Sequence, residues 1–247
     1  MDESEGQDPP GGGPGGLPPL LLYSLAGFAR TLSRATDIRP VLVDLAERAS
    51  QAVGATGGGV ILLEGGRPVF CGASRPSLDP LGDTEEQVQE GPGVEAALSG
   101  RTVAVPDLAG QPGRWPRYAR GAVRAGVRAV VAIPLCAGGG SLGALSLYHS
   151  GPREWTDPEV RPARVLADLA AGYVALARLL DEQRRLAEQL QRALDSRVVI
   201  EQAKGIVAVN RAVSLERAFD LLRRHATSHG VTLEETADAV VRLGLRP

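Results

Sequence analysis

The residues best placed to do chemistry are three cations spaced seven apart, Arg197, Lys204 and Arg211. Seven residues are close to two helical turns, so on one continuous helix these side chains share a face. A row of cations at that spacing can follow a line of nucleic-acid phosphates, each one displacing counterions. The same residues also read as a solvated face on which arginines pair with Asp195 and Glu201. A second cluster, Arg223, Arg224 and His225, falls on a later helical segment. Arginine both binds phosphate and stacks on a splayed base, and single-stranded loops are where RNA sequence is readable. Charge alone favours the solvated face, because residues 181–247 carry 11 Lys and Arg against 10 Asp and Glu. Aromatic platforms are few: Phe219 is the one aromatic after Tyr173, and its spacing assigns it to a core.

Other chemistries find little to stand on. The chain has no GxxxxGK[ST] phosphate loop and no HExxH zinc helix. Three histidines at positions 149, 225 and 229 and two cysteines, Cys71 and Cys136, are too few and too scattered for a thiolate zinc site. The cysteines lie in strand-like segments and read as small buried hydrophobes rather than as a redox pair. No metal, cofactor or enzymatic activity is expected. The formal net charge is -2, so any nucleic-acid contact must come from a local patch. The longest apolar runs, such as Val127 to Cys136, are about half of what a membrane helix needs. With acids and a Gly/Pro tract where a signal peptide would begin, the expectation is a cytoplasmic protein without a membrane segment.

The elements that must position these residues follow from periodicity. Residues 1–19 are Gly/Pro-rich and nearly free of apolar side chains, which predicts a flexible tail. Leu21, Leu25, Phe28 and Leu32 recur at helical spacing, and a second helix after Pro40 carries Leu42, Leu45, Ala46, Ala49 and Val53. The period then changes to that of strands. Gly58–Glu64 and Arg67–Ser74 flank a Gly65-Gly66 turn, a strong hairpin signal. A polar stretch leads to a short helix closed by Gly100, a strand at Thr102–Leu108, a loop passing into a helix, and strands at Val127–Leu135 and Ser141–Ser150. From Thr156, with Glu159 three residues on as in a capping box, one helix runs without glycine or proline from Tyr173 to Lys204. Leu179, Leu186, Ala193 and Ile200 repeat every seventh residue with Leu190 beside the seam, a coiled-coil pattern diluted by Gln183 and Gln189. Ser214 and the Thr232/Glu235 pair open two further helices.

Two strings carry a family resemblance. From Ala193 to Val241, SR-x-x-IEQAKGI, then S-x-x-x-AF-x-x-LR, then L-x-x-x-A-x-x-V, the sequence resembles the ANTAR family. That resemblance implies a three-helix domain that binds paired stem-loops in leader RNA, prevents transcription termination and acts as a dimer. It points above all to Lys204 within QAKGI, flanked by Ala203 and Gly205, and adds Arg197, Arg211, Arg223 and Arg224 as RNA-binding candidates. The family often has Met and Gly in the first interhelical turn, where this chain has Val209-Asn210-Arg211-Ala212. Upstream, EGPGVEAALSGRTVAVPDL, Arg114-Trp115-Pro116, GVRAVVAIPL and GALSLYHSGPREWTDPE resemble GAF sensor domains. This second likeness implies an antiparallel sheet flanked by helices with a small-molecule pocket bordered near Asp107, Arg114, Trp115 and Tyr118. The expected architecture is α+β: a tail over 1–19, a GAF-like sensor over 20–178, and a coiled-coil linking helix with an all-helical ANTAR domain over 179–247. The residues also leave open a ligand- or protein-binding signalling module whose C-terminal helices only dimerise.

Overall fold

The computed structural model describes Gly27, residues 37–111 and residues 113–247. The tail expected over 1–19 lies outside the described residues, as does nearly all of the helical stretch expected from Leu20. The chain divides into two compact units between Arg178 and Leu179.

In the first unit α1 (Ile38–Val53) precedes the hairpin of β1 (Gly57–Glu64) and β2 (Arg67–Ala73). Next come α2 (Asp79–Val88), α3 (Pro92–Ser99), the short β3 (Val103–Val105) and α4 (Pro116–Arg124). A second hairpin, β4 (Ala129–Ala137) and β5 (Gly140–His149), leads into α5 (Asp157–Arg211). The five strands form one antiparallel sheet in the order β2-β1-β5-β4-β3. Both hairpins turn on two glycines with positive φ, Gly65-Gly66 at 59° and 82° and Gly138-Gly139 at 62° and 82°. That is the pair of left-handed residues a type I′ turn demands, and it matches the strand twist.

The central strands are buried on both faces, and their side chains sort by period two. Val131, Ile133, Leu135, Leu145 and Leu147 point to one side, where α1 and the start of α5 cover them. Val130, Ala132, Ala144 and Tyr148 point to the other, against α2, α3 and α4. Burying a leucine in such a layer stabilises by roughly 1.5–3 kcal/mol. Arg153 locks the first layer. Its guanidinium donates to the Val53 and Gly54 carbonyls at 2.8 and 3.1 Å, sits 4.6 Å from the Trp155 ring centre and approaches Glu159. At the start of α5 only one arm of the expected capping box forms: the Glu159 carboxylate accepts from the Thr156 N–H and hydroxyl.

Three expectations are corrected. The polar stretch before α3 contains α2, whose buried positions are Leu81, Gly82 and Glu85, a set with no apolar rhythm to read. The strand expected over Thr102–Leu108 is confined to Val103–Val105. The cysteines are not both buried: Cys136 is exposed near the β4–β5 turn and Cys71 is half-buried on β2. Desolvation pushes the Cys71 thiol up to about 11, so it stays protonated and unreactive at neutral pH.

Strand β2 is a sheet edge, yet its outward backbone is occupied. The Phe70 N–H donates to Glu86 at 2.8 Å, the Ala73 N–H to Asp79 at 3.2 Å, and Gln89 donates to the Pro68 carbonyl at 3.0 Å. All three side chains come from α2 or its C-cap.

The second unit comprises α5 from Leu179 onward, α6 (Leu215–His229) and α7 (Leu233–Leu243). Its core is small: Ala203, Val207, Ala218, Leu222, Ala237 and Val240. Ser214 caps α6 by accepting from the Arg217 N–H at 3.2 Å, and Thr232 with Glu235 forms a complete capping box on α7. Glu235 is held below the usual carboxylate range by the Thr232 backbone N–H and hydroxyl.

Candidate nucleic-acid interface

Each cation of the seven-residue row lies on α5, which continues through Arg211, so the three share a stripe. Their surroundings differ. Arg197 is exposed and has no ion pair among the described residues. Lys204 is held by Glu201, its ammonium 2.8 and 2.9 Å from the two carboxylate oxygens, and lies 5.7 Å from the Phe219 ring centre. Its side chain is only 19% exposed, so Lys204 is a poised cation rather than a free one. Arg211 is exposed and donates to the Arg246 and Pro247 carbonyls at 3.4 and 2.8 Å.

Ala203 and Gly205, its neighbours in QAKGI, separate sharply. Ala203 is fully buried in the small core, so its expected contact with RNA is corrected to packing. Gly205 is half-buried, and a Cβ built on it would meet nothing within 4 Å. Packing between this chain's own helices therefore does not explain the glycine. On α6, Arg223 and Arg224 are both exposed, with Arg223 3.6 Å from Asp220. His225 and His229 stack at 4.0 Å between ring centres.

The first interhelical turn, where the chain departs from the ANTAR pattern, closes as a Schellman motif. Val213 N–H bonds to the Ala208 carbonyl at 3.1 Å and Ala212 N–H to the Val209 carbonyl at 3.4 Å. The left-handed position falls on Ala212, with φ of 53°, where glycine would sit without strain.

The first unit's expected pocket border is largely engaged. Asp107 takes a two-pronged ion pair from Arg128, at 2.9 and 2.6 Å, and this hydrogen bonding holds its carboxyl below the usual range. Arg114 pairs with Glu95 at 2.6 Å and lies over the Trp115 ring, whose backbone is left-handed at φ 50°. Tyr118 is fully buried and its hydroxyl has no partner. A shallow groove lined by Gly91, Val94, Leu98 and Trp115 lies beside these residues. Glu85, a buried acid on α2, has no apolar rhythm that would reveal it in the sequence. A GxSxG string does occur, at Gly139–Gly143, and corrects the expectation that the chain lacks one; it falls across the β4–β5 hairpin, where Ser141 donates to the Gly143 carbonyl, and the strand–turn–helix setting of a hydrolase nucleophile is absent there.

Among the described residues no helix is long and apolar enough to cross a membrane, and no group of three or more His, Cys, Asp or Glu could hold a metal. A comparison with curated proteins finds no match. Solved structures of low identity share the fold of the first unit. The GAF domain of an Acinetobacter phosphoenolpyruvate-protein phosphotransferase is 14% identical, covers 67% of this chain and 99% of its own, and superposes with a TM-score of 0.53. The corresponding GAF domain from Coxiella burnetii is 17% identical, covering 66% and 96%, with a TM-score of 0.52. Residues 37–174, more than half the chain, match the GAF domain family, and residues 188–241 match the ANTAR domain family. Both are regulatory rather than catalytic domains. The chain therefore belongs to the GAF domain family and carries an ANTAR domain behind its sensory unit, the pairing of a signalling and antitermination regulator.

Proposed function

We propose that this protein is a homodimeric antiterminator whose ANTAR unit binds paired stem-loops in leader RNA and whose GAF unit senses the signal that governs that binding. The observation that carries the reading is the QAKGI segment within the ANTAR match, where a poised Lys204 adjoins a glycine with empty space beside it. Arg197, Lys204 and Arg211 supply the phosphate track along α5, and Arg223 and Arg224 add contacts from α6. With aromatic platforms lacking, recognition rests on arginine, lysine and backbone.

Support for the dimer comes from α5. Leu179, Leu186 and Leu190 are each more than half exposed, a seam with no cover from this chain. Pairing two copies along it would present two RNA-binding units to two stem-loops, and a signal that favours one of two poses of the helix would regulate them together.

The test is a shift assay with a tandem stem-loop leader RNA across a salt series. The Arg197→Glu, Lys204→Glu double variant is expected to lose most of its affinity, and its salt slope to fall by about 2, roughly 1 per lost phosphate contact. Full binding by that variant would remove this face from consideration. Binding indifferent to salt in the parent protein would instead favour a signalling module whose C-terminal helices only dimerise.

A further inference from the structure

The most unusual group in the described residues is a carboxyl in the core of the sensory unit. Glu85 of α2 is 1% exposed. Its Oε1 accepts from the Gly93 and Val94 N–H groups at 2.6 and 3.0 Å, the free donors in the first turn of α3. The local backbone is shaped around it. A Cβ on Gly91 would run into the carboxyl, and one on Gly93 would lie 3.0 and 3.1 Å from its two oxygens and 2.8 Å from the Ser146 hydroxyl.

The groups facing Glu85 are few and neutral. From α4 comes Tyr118, fully buried with an unpartnered hydroxyl; from β5 come Tyr148 and Ser146, both buried. Burial above all pushes both phenols above their ordinary range, with Glu85 adding to it for Tyr148 and Tyr148 then Glu85 adding to it for Tyr118, so neither ionises near neutrality. The nearby acid of α3, Glu95, faces outward to Arg114. No arginine or lysine contributes to holding Glu85, whose environment is set by burial and by the two backbone donors. Desolvation outweighs those donors and pushes its carboxyl up to about 7. A structural carboxylate this deep is ordinarily paired with a cation.

We infer that Glu85 is a proton-operated latch in the sensory unit: the protonated carboxyl holds α3 against α2 and β5, and loss of the proton loosens that attachment. The ligand in question is the proton itself, and a change of pH would be read as a change in α3. The sign follows from the raised value. A carboxyl that titrates higher when closed than when open stabilises the closed form fully below its ordinary value near 4.5, and that stabilisation is lost as pH rises through about 7. The inference rests on the sensor reading for its purpose alone.

The experiment is amide hydrogen exchange on the full chain between pH 5 and 7.5, corrected for intrinsic exchange and without RNA, so its outcome is independent of the RNA-binding reading. The Gly93 and Val94 amides should lose protection by roughly fiftyfold over that range, while Glu85→Gln should vary by less than about threefold. Protection that stays level in the parent chain, or a dependence that persists undiminished in Glu85→Gln, overturns the latch. Should the glutamine variant not fold, carbon NMR of the Glu85 carboxyl in the unaltered chain decides: a midpoint near 7 that the two amide shifts follow supports it, and a midpoint near 4.5 refutes it.

Discussion

Gly205 and Ala212 lie seven residues apart around the end of α5, and each holds the residue type the other's backbone would prefer. Gly205 is mid-helix, where glycine costs roughly 1 kcal/mol against alanine, and nothing within 4 Å would object to a methyl group. Gly205→Ala should therefore raise the unfolding free energy of the ANTAR unit by about that amount in urea, while weakening leader-RNA binding if the empty space serves close approach. A gain in both quantities would leave the glycine without a role in binding. At Ala212 the sign reverses the substitution: the left-handed backbone makes Ala212→Gly stabilising by about 1 kcal/mol, read by the same denaturation curve. Sequence reading located this turn and its departure from the family pattern, because the motif fixes positions. It could not place Ala203, because a motif records which residues recur and not which way they point; only packing against Val207, Ala218 and Leu222 buries it.

Elements with a strong period were legible and one without was not. The two hairpins followed from paired glycines between alternating apolar runs, and α6 and α7 from Ser214 and the Thr232/Glu235 box, since each device satisfies backbone groups that otherwise go unpaired. Helix α2 escaped because its inward face is a leucine, a glycine and an acid, and hydrophobic periodicity is blind to a buried carboxyl. Helix α5 shows both sides of this. Before Arg178 one stripe of it, with Leu166, Ala170 and Val174, is buried against the sheet while Leu169 and Leu176 stay exposed. Beyond it Leu186 and Leu190 stay exposed at 54% and 59%. If these form the seam of a dimer, the Leu186→Glu, Leu190→Glu double variant should sediment as a monomer with the GAF unit still folded. An unchanged sedimentation coefficient would count against pairing along this stretch.

For the molecule as a whole, the GAF unit and the ANTAR unit draw core residues from one helix, so the stability of both depends on a single element. The GAF unit's fold was readable because its layers obey period two, whereas Glu85 was not, because it becomes unusual only once folding strips water from it. The same helix α2 that carries Glu85 has a further consequence through its other face. By occupying the outward N–H and carbonyl groups of β2 with Glu86, Asp79 and Gln89, it denies incoming chains a template for strand addition. A variant that detached α2 would uncover that sheet margin, so the chain's resistance to edge-to-edge association rests on the integrity of one short, polar helix.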